Sequence, residues 1–304
     1  MTDPGMWHTT DVYYLAAVLS HPSEDPQSTV DPGREVTDEE KLQMEAAGAA
    51  LARFWPDRVI GDLRESAARF TQLLAETEDM AEDSGEMTRT VHRRLEAALR
   101  DWLANLSTFR DHTVKAVRRH FGRPRMLEVR AVFDAVEARN FAFRVALAIR
   151  DASLHAGQVI NVASLHSRAD GAHADYRVDT MDLAHGDDKA KPSMRDSQAP
   201  IRLDSLVYWA MDGAERCFVE TMLLLREEIM TMTQHAENLG NEVLAGRDGV
   251  PQIVVLSAGV DDQLTSLNFL DIPNNYREPF TEVFEQCVAA FALAPEHVAP
   301  EDLQ

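Results

Sequence analysis

The sequence predicts a mainly α-helical fold, an antiparallel four-helix bundle followed by a β-hairpin and a C-terminal α/β extension. Three observations predict it. Four stretches between Thr37 and Gly157, each of roughly 20 to 35 residues, repeat apolar side chains at helical spacing. The joins between them are short, and short joins make neighbouring helices antiparallel. After Gly157 the apolar period falls toward two, as expected of strands.

Residues 1–36 read as an arm and loop. The apolar run Asp11 to Ser20 is expected to dock through Tyr13, Tyr14, Leu15 and Val18, and HPSEDPQSTVDPG is too rich in turn-formers to continue it. Residues 37–157 are the expected bundle. Thr37 stands as an N-cap with Glu40 at the capping-box position, so a first helix starts there and stops near Pro56. A second covers Asp57 to Glu82, with Val59, Ile60, Leu63, Ala67, Phe70, Leu73 and Leu74 on its stripe. A third runs from Thr88 to Phe121, where Gly122 and Pro124 end it. Met126 to His155 reads as the fourth, stopped by Gly157.

Residues 158–200 are expected to hold a hairpin, QVINVASLH and ADYRVDTMDL, and then a mobile polar connection, AHGDDKAKPSMRDSQAP. Residues 201–304 are expected to pack on the bundle. They comprise a long helix from Ile201 to about Leu239, strands near 250–258 and 264–272, and a last helix from Pro279 to Leu293.

A chain of 304 residues that is 45% hydrophobic can bury a substantial core. No apolar run approaches the roughly 18 residues of a membrane span, and MTDPGMWHTT lacks the pattern of a signal peptide, so a cytoplasmic protein without membrane attachment is expected. Cys217 and Cys287 lack metal-ligand spacing and read as reduced and buried. The net charge of −21 argues against general affinity for nucleic acid. Its distribution argues otherwise: residues 88–150 hold 14 Lys and Arg, Arg93 and Arg94 among them, against 6 Asp and Glu. A basic segment in an acidic chain fits a focused anion site, although Arg-rich solvent faces of two amphipathic helices would look the same.

That segment ends in ARNFAFRVALAIRDASLHAG, Ala138 to Gly157. On a continuous helix Asn140, Arg144, Asp151 and His155 fall within a sector of about 60°. Arg150 borders the apolar stripe of Phe143, Leu147 and Leu154. A guanidinium held at such a margin needs a carboxylate or a phosphate as partner.

Arg150, Asp151 and His155 form an R-x4-H motif at the close of an amphipathic helix, and in this they resemble the HEPN superfamily over residues 40–160. A second R-x4-H, Arg168 to His173, sits in a Gly/Asp-rich loop and is read as a coincidence. The family consists of helical-bundle domains, many of them metal-independent endoribonucleases of toxin–antitoxin, anti-phage and CRISPR systems, which juxtapose two motifs across a dimer.

The resemblance implies RNA cleavage by attack of the 2′-hydroxyl on the adjacent phosphate. His155, with an ordinary pKa of about 6.5, would exchange protons at the reacting oxygens, Arg150 would clamp the phosphate, and Asp151 would orient either. Arg144, Asn140, Arg93 and Arg94 are the expected RNA contacts. No cofactor and no metal are implied. The expected partners are RNA, a second copy of the chain, and an antitoxin or other regulatory protein.

The competing reading makes Arg150 and Asp151 an ion pair and His155 the group that satisfies the last carbonyls of its helix, in a non-catalytic HEPN-like binding module. Other constellations are weaker. His166, His173 and His185 with Asp182, Asp187 and Asp188 lack fixed metal spacing, and Ser257 in VVLSAG lacks the second glycine of a nucleophile elbow.

Overall fold

The computed structural model is mainly helical, with small antiparallel sheets, and describes residues 10–20, 28–84, 89–154, 159–168, 171–181, 199–244, 250–258, 264–272, 276–293 and 298–303. The chain divides into two compact units, one made of residues 1–54 and 225–285, the other of 55–224 and 286–304.

In the first unit β1 (Thr10–Ser20) lies inside a four-stranded antiparallel sheet of order β2-β1-β6-β7, with β2 (Ser28–Glu35), β6 (Val250–Ala258) and β7 (Leu264–Asp271). β1 pairs with β6 in unbroken register from Thr10↔Ala258 to Val18↔Val250. The N-terminal residues expected to form a docking arm are therefore strands, and their partner comes from the far end of the chain. The two compact units divide the chain after residues 54, 224 and 285, where the sequence reading sets its boundaries at 36, 157 and 200. Helix α1 (Asp38–Arg53) belongs with this sheet and not with the bundle.

α1 starts on the expected capping box, with Thr37 Oγ1 accepting from the Glu40 amide and Glu40 reaching back to the Thr37 amide. Its Met44 and Ala47 meet Ala236 and Leu239 of α6 (Arg226–Leu244), together with Val36 and Ile272, in a small apolar core.

The second unit holds the helices that carry the motif. A single π-helical turn, Asp57–Gly61, leads into α2 (Asp62–Ser84). α3 (Arg89–Arg139) is two helical arms broken at Gly122, whose φ of 84° is the left-handed value that favours glycine. The second arm folds back on the first: Phe109 and Phe133 rings lie 5.5 Å apart, and Arg110 reaches Glu137 at 3.5 Å. α4 (Phe141–Ser153) and α5 (Leu203–Leu224) complete the helical set. Trp102, Leu103, Phe133, Phe143, Ile149, Leu206 and Ala210 are all buried in its core.

The expected helix Met126 to His155 is not continuous. Asn140 is extended, at φ −106° and ψ 101°, and serves as N-cap of α4 by accepting from the Phe143 amide. Likewise the helix expected from Ile201 to Leu239 is interrupted at Leu225, where one unit gives way to the other.

The hairpin is present as β3 (Val162–Arg168) and β4 (Gly171–Val178), extended by β5 (Ile201–Arg202). It pairs Arg168 with Gly171 and His166 with His173, so the second R-x4-H spans two paired strands. The connection expected over residues 184–200 lies almost wholly outside the described residues, as do His185, Asp182, Asp187 and Asp188. No helix is long and apolar enough to cross a membrane among the described residues.

Candidate functional site

α4 is buried on nearly every side. Phe141, Ala142, Phe143, Val145 to Ile149 and Ala152 are all core residues, which leaves Arg144, Arg150 and Asp151 as its charged positions. A helix that is apolar on nearly every side is held chiefly by packing, so its orientation is fixed and its charged C-terminal end is presented in one place.

The end of α4 is secured from α3. Arg100 donates from Nη1 to the Ser153 carbonyl at 2.7 Å and from Nε to Glu96 at 3.0 Å. Glu96 in turn accepts from the amides of Val159 and Ile160, at 2.7 and 2.8 Å. One side-chain pair, one turn apart on α3, thus anchors the chain both before and after residues 155–158. His155 lies outside the described residues. The carbonyls it was expected to satisfy have other donors: Ser153 Oγ bonds the Arg150 carbonyl at 2.7 Å, the Leu154 amide reaches Asp151, and Arg100 takes Ser153.

Arg150 and Asp151 meet at 3.1 Å and are 33% and 47% exposed. A pair this open to water is worth at most about 1 kcal/mol. Its guanidinium is therefore available to a stronger anion.

The polar row expected on this helix is only partly assembled. Arg144 and Asp151 share a face about two turns apart, with the Arg144 guanidinium 5.4 Å from the Phe141 ring centre. Asn140, being off the helix and 5% exposed, spends its amide group on the Trp209 carbonyl at 2.9 Å and its oxygen on the α4 cap. It is a structural cap and is not presented to a ligand. Arg93 and Arg94 are exposed within one turn of Glu96, and so on the stretch of α3 that receives the end of α4.

A second feature escaped the sequence reading. Between α2 and α5 runs a groove of about 680 Å³, lined by Ala67, Val207, Tyr208, Met211, Asp212 and Glu215 among others. Tyr208 is 67% exposed and meets Trp209 edge to face at 4.9 Å. Burial, more than the neighbouring Glu215, raises the Asp212 carboxyl above its ordinary value, while Arg216 opposes the shift. Glu215 is held by Arg64 through two bonds of 2.6 and 2.7 Å. On sequence alone Trp209 reads as part of the apolar face of a long helix, and nothing local marks its neighbour Tyr208 as facing a groove.

Cys217 and Cys287 are buried, and desolvation lifts both thiols, Cys287 to about 11. Among the described residues no three His, Cys, Asp or Glu side chains gather as a metal would require. Comparison with protein-family models, curated proteins and solved structures finds no match for the chain.

Proposed function

We propose that the protein is a metal-independent endoribonuclease of the HEPN type, acting in the cytoplasm as a homodimer and as the toxic arm of a toxin–antitoxin or anti-phage system. In this reading α2, the two arms of α3, α4 and α5 are the family's bundle. Arg150 clamps the scissile phosphate and stabilises the charge of the pentacoordinate transition state. His155 moves the proton at the 2′- or 5′-oxygen, Asp151 orients His155 or Arg150, and a 2′,3′-cyclic phosphate is left. Arg93, Arg94 and Arg144 contact the RNA, and an antitoxin or other regulatory protein restrains the activity.

The observation that carries this reading is the state of the α4 terminus. The carbonyls of Arg150, Asp151 and Ser153 accept from Ser153, Leu154 and Arg100, and among the described residues Arg150 has only an exposed, weak carboxylate contact. Arg150 and Asp151 are thus not consumed by capping.

One observation favours the alternative of a non-catalytic binding module. Arg150 does pair within its own chain, and the groove beside Tyr208 offers an apolar surface for a partner.

Expression in growing cells separates the two. Wild type should slow growth and create new cyclic-phosphate RNA ends, while His155→Ala and Arg150→Ala should do neither. Folded wild type that leaves growth and RNA ends unchanged, with no antitoxin present, points to the module.

A further inference from the structure

Arginines in this protein commonly sit on a carboxylate. Arg34, Arg64, Arg177, Arg202 and Arg277 all bond one within 3 Å. The reversal of α3 at Gly122 departs from this, as do Arg93 and Arg94 near the start of the same helix. Lys115, Arg118 and Arg119 precede the reversal, and Arg123 and Arg130 follow it. All five are exposed, and none has a carboxylate partner among the described residues. Arg125 beside them is paired to Glu128 at 2.6 Å.

Five uncompensated cations at one end of a helical hairpin, in a chain of net charge −21, repel one another. They gain when an anion arrives.

The tip is also distant from Arg150. Arg100, which touches the end of α4, precedes Gly122 by 22 residues, about 33 Å of helix. The basic run of the sequence therefore has two separate exposed clusters, Arg93 and Arg94 near the motif and Lys115, Arg118, Arg119, Arg123 and Arg130 at the far end.

We infer that the tip of the α3 hairpin, through Lys115, Arg118, Arg119, Arg123 and Arg130, grips the phosphate backbone of an RNA strand. The cations spread about 10 Å down each of two adjoining helices, which suits successive phosphates and not a single small anion. Guanidiniums bind phosphate oxygens through paired donors, without reading sequence. A membrane surface fits less well, because Leu127 is the exposed large apolar residue at the tip, and an interfacial helix needs a broad apolar face. The choice of RNA over DNA rests on the function proposed above; the phosphate grip does not.

The test is binding of the full chain to a short fluorescein-labelled RNA with 2′-O-methyl groups, which cannot be cut by 2′-hydroxyl attack, so binding is read apart from cleavage. Arg118→Gln with Arg123→Gln should weaken binding at least about tenfold and lower the salt slope by roughly 1.4, about 0.7 for each lost contact to a single strand. Arg119→Glu should weaken it further. All these positions are exposed, and matched thermal melts establish folding. Affinity and slope unchanged in both variants would overturn the inference. So would wild-type binding to duplex DNA or anionic vesicles with none to the RNA. A protein that binds through the tip but never cleaves RNA would retain this inference and lose the proposed enzyme.

Discussion

Arg100 and Glu96 act as one clamp: the guanidinium holds the last carbonyl of α4 at Ser153 while the carboxylate it bonds takes the amides of Val159 and Ile160. Three backbone groups near the motif are satisfied by two side chains on α3. Arg100→Ala leaves the Ser153 carbonyl without this donor and the largely buried Glu96 without its counter-ion. The expected cost is about 2 kcal/mol, the size of a charge-assisted hydrogen bond lost with its partner left behind. Urea denaturation should show a lower midpoint with an unchanged slope. Glu96→Gln should speed hydrogen exchange at the Val159 and Ile160 amides, and equal exchange in the two proteins would contradict the clamp.

Gly213 on α5 lies against the start of α4. A Cβ built there would stand 2.8 Å from Phe143 Cβ and 3.0 Å from Asn140 Nδ2. From helix propensity alone Gly213→Ala should stabilise by up to about 1 kcal/mol. The close approach reverses the sign, because Phe143 and Asn140 are themselves buried and the α4 cap cannot move aside. A net loss of about 1 to 3 kcal/mol is expected, typical of overpacking. A higher melting temperature for the alanine variant would show that the helices can part.

What could be read from the sequence was what short-range chemistry decides. The Thr37–Glu40 capping box and the break at Gly122 depend on residues within one turn, and both stand where the pattern places them. Arg150 and Asp151 are neighbours, so their contact is close to unavoidable. Asn140 defeated the periodicity argument because its role is set from afar. The Trp209 carbonyl takes its amide, and Val298 bridges its backbone. An asparagine inside a helical run otherwise reads as a surface position. The strand β1 escaped for the same reason, since its apolar run becomes the interior of a sheet only when residues 250–258 arrive beside it. The Arg100 clamp likewise joins residues 53 positions apart.

Glu40 joins the N-cap of α1 to Arg34, which also holds Glu242 of α6 at 2.6 Å. Hydrogen bonds from Arg34, then from the Thr37 amide, pull the Glu40 carboxyl from 4.5 down to about 2. A carboxylate with a depressed folded pKa stabilises fully above its unfolded value and loses that contribution as pH falls through the folded one. Glu40→Gln should therefore be less stable than wild type at pH 7, by about 0.5 to 1 kcal/mol for a solvent-exposed network. The gap should shrink below pH 4.5 and close by about pH 2. Denaturant melts across that window measure it, and a gap independent of pH would assign the loss to shape and not to charge.

Asp212, in the groove between α2 and α5, carries the opposite sign. Burial raises its carboxyl above 3.8, so ionisation is less favourable in the folded chain than in the unfolded one. Below 3.8 both states are neutral and the group costs nothing. As pH rises through 3.8 to the folded value the penalty enters, and above that it is complete. Asp212→Asn removes the charge while keeping the shape, so it should melt higher than wild type at pH 7 and together with it below about pH 4. Among the described residues Arg216 is the cation that opposes the shift, and its Nε is already 2.5 Å from Glu220. Arg216→Gln should therefore widen the difference between Asp212 and its asparagine variant at neutral pH. A lower melting temperature for Asp212→Asn at pH 7 would mean that the carboxylate is held by an attraction stronger than its desolvation.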